Sequence, residues 1–327
     1  MKSKSNAIRI SPRVLVSRCL EFEACRWDGS MISDPWISRF KNYFEFIPLC
    51  PESDIDLGIP RPPIRVVRDA DGDRLVQPST GLDITDTMIQ YCRRRLDQLP
   101  EIDGAILKSR SPSCGLHDVK LYNPKPDSPV LGKTTGFFGR QVLDRYSHLA
   151  IEDEGRLTNF KLREHFLTRL YSMALLRELK EKGSMGKLVQ FHADHKYLLM
   201  AYSITQLRLL GRIVANPEQY VWSDVIHSYA AHFSLAFLHP PRTPSIINVL
   251  MHTMGYFSDR LTADEKAYFL DCLEEYRQGK LPLSVCTHMM ESWIIRFQEP
   301  YLADQRFFHP YPTELSQISD SGKGHSV

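Results

Sequence analysis

"VLVSRC", residues 14–19, is a β-branched run that breaks into a polar loop at a cysteine. Two later runs end the same way. "YFEFIPLC" covers residues 43–50, and "DGAILKSR" at 103–110 leads into "RSPSCG" at 110–115, which places Cys114 just behind Ser111-Pro112. Short apolar runs bounded by turn residues read as buried strands. Helix-like sequence lies between them. "PWISRFKNYF" begins at Pro35, and "DITDTMIQYCRRRLDQLPE" opens at Asp83 with a cap-like Asp or Thr. Strands separated by helices predict an α/β domain built on a mostly parallel sheet. In such sheets ligands gather beyond the carboxyl ends of the strands, which is where Cys19, Cys50 and Cys114 fall.

The texture changes after residue 156. "NFKLREHFLTRLYSMALLRELKEKG" reads as one amphipathic helix closed by Lys182-Gly183. "GKLVQFHADHKYLLMAYSITQLRLLGRIVANP" reads as a second, closed by Asn216-Pro217. Three more segments with end signals follow, so an all-α domain of five to seven helices is expected. The expected boundaries are 1–155 for the α/β domain and 156–315 for the helical domain. The polar tail 316–327 is expected to be disordered.

A chain of 327 residues accommodates two domains of ordinary size. No apolar run approaches a membrane span, and "MKSKSNAIRISPR" lacks the apolar core of a secretory signal, so a cytoplasmic protein without a membrane partner is expected. Seven cysteines are too sparse for a disulfide framework; clustered thiols in a reducing compartment point to metal ligation or catalysis. Cys92, Cys272 and Cys286 lie in helix-like sequence and read as small buried residues. A formal net charge of +2 excludes a general polycation, yet residues 156–220 hold eleven Lys and Arg against five acids. That excess suits either a polyanion partner or a solvated helical surface.

Cys19 and Cys25 are separated by five residues, and Cys50 and Cys114 are far away in sequence. This spacing is loose for structural zinc and suits an iron–sulfur cluster held at the mouth of a sheet. "VSRCLEFEACRWDG", "IPLCPE" with "GIPRPP", and "LKSRSPSCG" resemble, in order, the three motifs of the thiouracil desulfidases. "EGRLTNF", "LREHFLTRL", "LVQFHADHKYLLMAYS", "LEEYRQGKLPL" and "YLADQRFFHPYPTEL" resemble the helical domain fused to that domain in bacterial proteins that remove sulfur from 4-thiouridine in tRNA. The resemblance implies a 4Fe-4S cluster held by Cys19, Cys50 and Cys114, with one iron left open. It also implies a catalytic pair, Glu52 and Ser111, and tRNA carrying 4-thiouridine as the partner. Cys25 stays outside the implied ligand set and reads as a small, partly buried thiol. "CLEFEAC" and "PESDIDLGIPRPP" depart from the family pattern.

The implied reaction is non-redox hydrolysis. Open iron acts as a Lewis acid on a thiocarbonyl sulfur, Glu52 serves as general base and acid, and Ser111 hydrogen-bonds substrate or water. On spacing alone, Glu52 also fits a helix-start acid and Ser111 a turn residue. Arg26 and Asp28 fit either an ion pair orienting the cysteine loop or a surface turn. His192, His195 and Lys196 share one helix face, which suits a structural or RNA-facing role better than a zinc site. Lys187, His192, Lys196, Arg208 and Arg212 are the candidate RNA contacts, whereas "RFFHPYP" fits core packing. The alternatives are a desulfidase of free thiouracil-type bases, or a non-catalytic iron–sulfur RNA-binding or sensor protein. The oligomeric state is left open.

Overall fold

The structure, a computed structural model, describes residues 8–124, 129–216 and 218–316. The expected disordered tail lies, apart from Ser316, outside the described residues. Two compact units form. One holds Arg9–Ala174 with residues 314–316, and the other holds Leu175–Thr313 with Ile8.

In the first unit four strands make an all-parallel sheet: β1 (Arg13–Ser17), β2 (Glu45–Leu49), β6 (Gly104–Leu107) and β9 (Ala150–Asp153), in the order β2-β1-β6-β9. Val14, Leu15 and Val16 pair with Phe46, Ile47 and Pro48 on one side and with Gly104, Ala105 and Ile106 on the other. β1 and β6 are the central strands and are almost wholly buried, which is why they read as continuous apolar runs rather than alternating ones. Three helices connect the strands: α1 (Pro35–Phe40), α2 (Thr85–Asp97) and α3 (Phe137–Tyr146). The chain turns from β1 to β2 on one side and later returns to β6 on the other. The strand order therefore reverses at β1, and a crevice opens at the carboxyl edge there.

Of a second sheet the sequence marks only one strand, the short apolar run "IRVVR" at 64–68. This sheet contains β3 (Arg65–Asp69), β4 (Gly72–Gln77), β5 (Leu82–Asp83), β7 (Val119–Tyr122) and β8 (Val130–Thr134), in the order β5-β4-β3-β7-β8. Only its β3–β7 pair is parallel. The expected cap of α2 is also corrected. Ile84 occupies the cap position, while the Asp83 carboxylate accepts the Thr85 N–H at 2.9 Å and the Thr85 hydroxyl accepts the Leu75 N–H at 2.8 Å.

α4 (Phe160–Lys182) runs as expected to Lys182, but it is buried on nearly every side from Leu162 to Leu179 rather than amphipathic. Its first half belongs to the first unit. Arg163 is buried and stacks its guanidinium 3.6 Å from the centre of the Trp36 ring. Tyr171 meets Phe44 edge-on, and Leu170 covers Gly104, where an added Cβ would come within 2.7 Å of its methyl.

The second unit is helical, with α5 (Met185–Tyr202), α6 (Ile204–Ala215), α7 (Trp222–Ala236), α8 (Thr243–Met254), α9 (Ala263–Arg277), α10 (Leu283–Phe297) and the short α11 (Pro300–Ala303). The segment expected as one helix over 186–217 is two. Ser203 takes an extended φ of −157°, ends α5, and accepts the Gln206 N–H to cap α6. A serine hydroxyl offers the backbone this alternative partner, so it starts a helix more readily than it continues one. α5 packs on α6, α7 and α8, with Phe191, Tyr229, Phe233 and Phe237 in the aromatic core. Among the described residues no helix is long and apolar enough to cross a membrane.

Candidate active site

Cys19 lies just beyond β1, Cys50 directly follows β2, and Cys114 lies on the loop after β6. Because these strands are neighbours in one parallel sheet, their carboxyl ends bring three sequence-distant thiols to one cavity of about 380 Å³. Cys25, Glu52 and Ser111 line it too, so the structure assembles every ligand and catalytic candidate of the first domain. All seven cysteines are free thiols.

The Cys114 loop is fastened by the start of α3. The N–H groups of Phe137 and Phe138, at the open helix end, donate to the carbonyls of Pro112 and Ser113 at 3.1 and 2.8 Å. The approach is close enough to demand glycine. A Cβ on Gly136 would sit 2.5 Å from the Ser113 carbonyl oxygen, and one on Gly139 would sit 2.6 Å from that of Gly115. Ser111 folds the loop from within, its hydroxyl accepting the N–H groups of Ser113 and Cys114 at 3.3 and 3.1 Å.

Glu52 is held from two sides. Oε2 accepts Nε and Nη2 of Arg61 at 3.0 and 2.6 Å, and Oε1 accepts the hydroxyls of Ser113 and, at 3.4 Å, Ser111. The side chains of Glu52 and Arg61 are only 12% and 2% exposed, so this is a buried, forked ion pair. The remaining Arg61 donors reach the carbonyls of Gly58 at 3.0 Å and Cys25 at 3.1 Å. Arg61 and Ser113 were missed as site residues. The available signal was an arginine inside "GIPRPP", a stretch with no helix or strand period to explain it.

The departures from the family pattern have local explanations. Glu21 of "CLEFEAC" adopts a φ of +67°. Its carboxylate accepts the Ser38 hydroxyl and the Asp34 N–H, while Asp34 caps α1. The Ser38 hydroxyl and its neighbours draw the Glu21 carboxyl down to about 2. Asp54 of "PESDIDLG" accepts the Tyr91 hydroxyl and pairs with Arg18 at 2.9 Å. Arg26 and Asp28 form a turn closed on Ser30, with Arg26 Nη1 donating to the Ser30 hydroxyl at 2.8 Å.

Burial pushes the Cys19 thiol up to about 12 and holds Cys114 well above the ordinary thiol range. Lys108 beside Cys19 and the Ser17 hydroxyl beside Cys114 oppose that shift. Cys50 is drawn down by a hydrogen bond from the Cys25 thiol, whose own proton is correspondingly harder to remove. Lys108 itself is tied to Glu154 and to the Ser109 hydroxyl. Among the described residues, no three His, Cys, Asp or Glu side chains converge on a single-ion position. A mononuclear zinc needs ligands about 2.3 Å from one point. Free thiols lining one cavity are the donor type that an iron–sulfur cluster takes.

Residues 14–154 match the family model of 2-thiouracil desulfurase. This domain belongs to that family. Behind the desulfurase domain, residues 196–312 match a family of unknown function, DUF1722. The uncharacterized protein YbgA of Escherichia coli (strain K12) is 28% identical over 152 residues, which span 46% of this chain and 90% of YbgA. The uncharacterized protein YbbK of Bacillus subtilis (strain 168) is 29% identical over 109 residues, 31% of this chain and 72% of YbbK. A solved structure described as a 4Fe-4S-dependent thiouracil desulfidase, TudS, is 26% identical with a TM-score of 0.37, covering 45% of this chain and 93% of that one.

In the helical unit, Lys187, Arg208 and Arg212 are exposed, whereas His192 and Lys196 are half-buried. Lys187 donates to the Lys182 carbonyl at 2.7 Å. His192 meets the Tyr229 hydroxyl at 3.2 Å, and burial lowers its affinity for a proton. His195 is buried. Its Nδ1 donates to the Phe191 carbonyl at 2.8 Å, and burial pushes it down to about 3, so it is neutral core. The Gln305 side chain inserts into the same turn of α5, donating to the Ala193 carbonyl at 2.8 Å and accepting the Tyr197 N–H at 3.2 Å. Phe307, Phe308 and Tyr311 of "RFFHPYP" are buried.

Proposed function

We propose that the chain is a tRNA 4-thiouridine desulfidase, in which Cys19, Cys50 and Cys114 hold a 4Fe-4S cluster and the reaction exchanges thiocarbonyl sulfur for the oxygen of water. The observation that carries this reading is the single cavity where three thiols stand beside the Glu52 carboxylate and the Ser111 hydroxyl. The donor set fits the group, being three unbridged thiols on neighbouring strand ends. When bound, such a cluster supplies an iron without a protein ligand, a soft Lewis acid for sulfur.

The chain's own residues carry the proton chemistry. Glu52, two residues after Cys50, takes a proton from water and returns one to the departing sulfur or the ring. Arg61 fixes the carboxylate through Oε2, and Oε1 is shared with the Ser113 and Ser111 hydroxyls, of which Ser111 lines the cavity. Water adds, hydrogen sulfide leaves, and no electrons are exchanged.

Support for tRNA comes from the helical domain, where Lys187, Arg208 and Arg212 offer exposed cations to phosphate. A splayed thionucleotide would enter the cavity as unstacked RNA bases enter other sites. The family name and the TudS description favour a second reading, a desulfidase of free thiouracil-type bases. The full chain, reconstituted anaerobically, is incubated with thiolated tRNA and separately with free 4-thiouracil. Loss of near-ultraviolet thiouridine absorbance together with sulfide release from the tRNA supports the first reading. Loss from the free base alone supports the second. A loaded protein that releases no sulfide from either is a sensor or binder.

A further inference from the structure

Cys25 lies on the thiol cavity yet has no part in the proposed ligand set. It is also the more enclosed member of a close pair, being 0% exposed where Cys50 is 8% exposed. A tight turn sets its position, with the Cys25 N–H donating to the Glu23 carbonyl at 2.9 Å. Arg61 holds it there through the Cys25 carbonyl, which lies 3.9 Å from the Cys50 sulfur. The Cys25 thiol donates to that same sulfur. Two neighbouring thiols therefore share the cavity wall, Cys50 the more exposed and Cys25 the more enclosed.

We propose that Cys50 and Cys25 are a peroxide-reactive pair in the cluster-free protein, closing a reversible disulfide that bars cluster assembly until it is reduced. The oxidant is hydrogen peroxide, small enough to reach Cys50 through the cavity. The Cys50 thiolate attacks one peroxide oxygen, the O–O bond breaks, and hydroxide leaves, so the sulfur is oxidised by two electrons to sulfenic acid. The Cys25 sulfur then attacks the Cys50 sulfur. The S–S bond forms, the S–O bond breaks, and the hydroxyl departs with the Cys25 proton as water. A dithiol reverses the step and is itself oxidised to its cyclic disulfide.

The pair protects a ligand position. A sulfenic acid without a neighbouring thiol proceeds to sulfinic acid, which a dithiol does not restore. With the cluster bound, Cys50 is engaged and the pair is silent. The device therefore acts on the empty protein, when loss of Cys50 would be permanent.

The test uses the full chain stripped of iron. It is treated with one equivalent of hydrogen peroxide, its remaining thiols are alkylated, and its peptides are mapped by mass spectrometry without reduction. A parallel sample is given iron and sulfide anaerobically, before and after a dithiol, and uptake is followed by visible absorbance. The expected result is a dominant Cys25–Cys50 linked peptide, abolished uptake, and full recovery with the dithiol. Cys25→Ser should give Cys50 sulfinic or sulfonic acid and no recovery. Cys50 sulfinate in the wild type, a Cys19–Cys50 link, or equal recovery by Cys25→Ser would overturn the proposal. Should Cys25→Ser not fold, the wild-type peptide map decides alone. Untreated protein that takes up no iron would instead sink the cluster reading and leave the disulfide map standing.

Discussion

Arg61→Met removes the group that aims Glu52. The lost interactions are two charge-assisted hydrogen bonds to Oε2, at 3.0 and 2.6 Å, and single bonds to the carbonyls of Gly58 and Cys25. The carboxylate left behind is 12% exposed and keeps only serine hydroxyls. Breaking one side of a buried pair costs about 3–5 kcal/mol, because the other charge stays desolvated. Since Glu52 retains two donors and borders a cavity, the lower part of that range, about 3 kcal/mol, is expected. For a unit of this size that lowers Tm by about 6–12 °C. Replacing both partners removes the orphaned charge, so Arg61→Met/Glu52→Met should cost less than the sum of the single changes by about 2 kcal/mol. Calorimetric unfolding of the four cluster-free proteins measures this coupling. Strictly additive losses, or an Arg61→Met Tm within about 1 °C of wild type, would show that the forked pair does not hold the site.

Glu52→Gln should still load its cluster, since it is not among the three thiols, but lose turnover by about 100-fold or more if it is the proton carrier. Iron content and sulfide release together report this. Gly136→Ala forces a Cβ to 2.5 Å from the Ser113 carbonyl oxygen and should destabilise the domain by about 1–3 kcal/mol while lowering cluster occupancy. Gly132→Ala, which meets no atom within 4 Å, is the matched control. His195 is neutral when folded down to about pH 3 but takes a proton near pH 6.5 when unfolded. The unfolded state therefore binds more protons between those values. Stability from this group is complete above pH 6.5 and declines as pH falls, by about 2 kcal/mol at pH 5. Thermal unfolding of His195→Phe should show a shallower loss between pH 7 and 5 than the wild type. Joint replacement of Lys187, Arg208 and Arg212 by Ala should weaken tRNA binding and flatten its salt dependence by about 2 in log–log slope. An unchanged slope would remove them as phosphate contacts.

The parallel sheet was legible because β1 and β6 are buried on both faces, and full burial writes an unbroken apolar run. Of the second sheet only "IRVVR" in β3 was. β7 lies about fifty residues from its partner β3, and β8 is largely exposed, so no local period marks the rest. Cys19, Cys50 and Cys114 could be grouped from their places at strand ends. The partners of Glu52 could not, because Arg61 reaches it from an irregular proline-rich loop and Ser113 looks like any turn serine. Splitting of the long α5–α6 segment turned on one residue, Ser203, whose hydroxyl competes for the backbone without disturbing the apolar period on either side.

The family match stops at residue 154, but the folding unit does not. Trp36, Phe44 and Gly104 are all covered by side chains from the first half of α4. A polypeptide halted where the family model halts would uncover Trp36 and Phe44 and invite self-association. Inheritance and cooperativity thus draw their borders about twenty residues apart. The tail of the folding unit is the opening half of a helix that its neighbour completes, and separating the two means cutting at Ala174 or later.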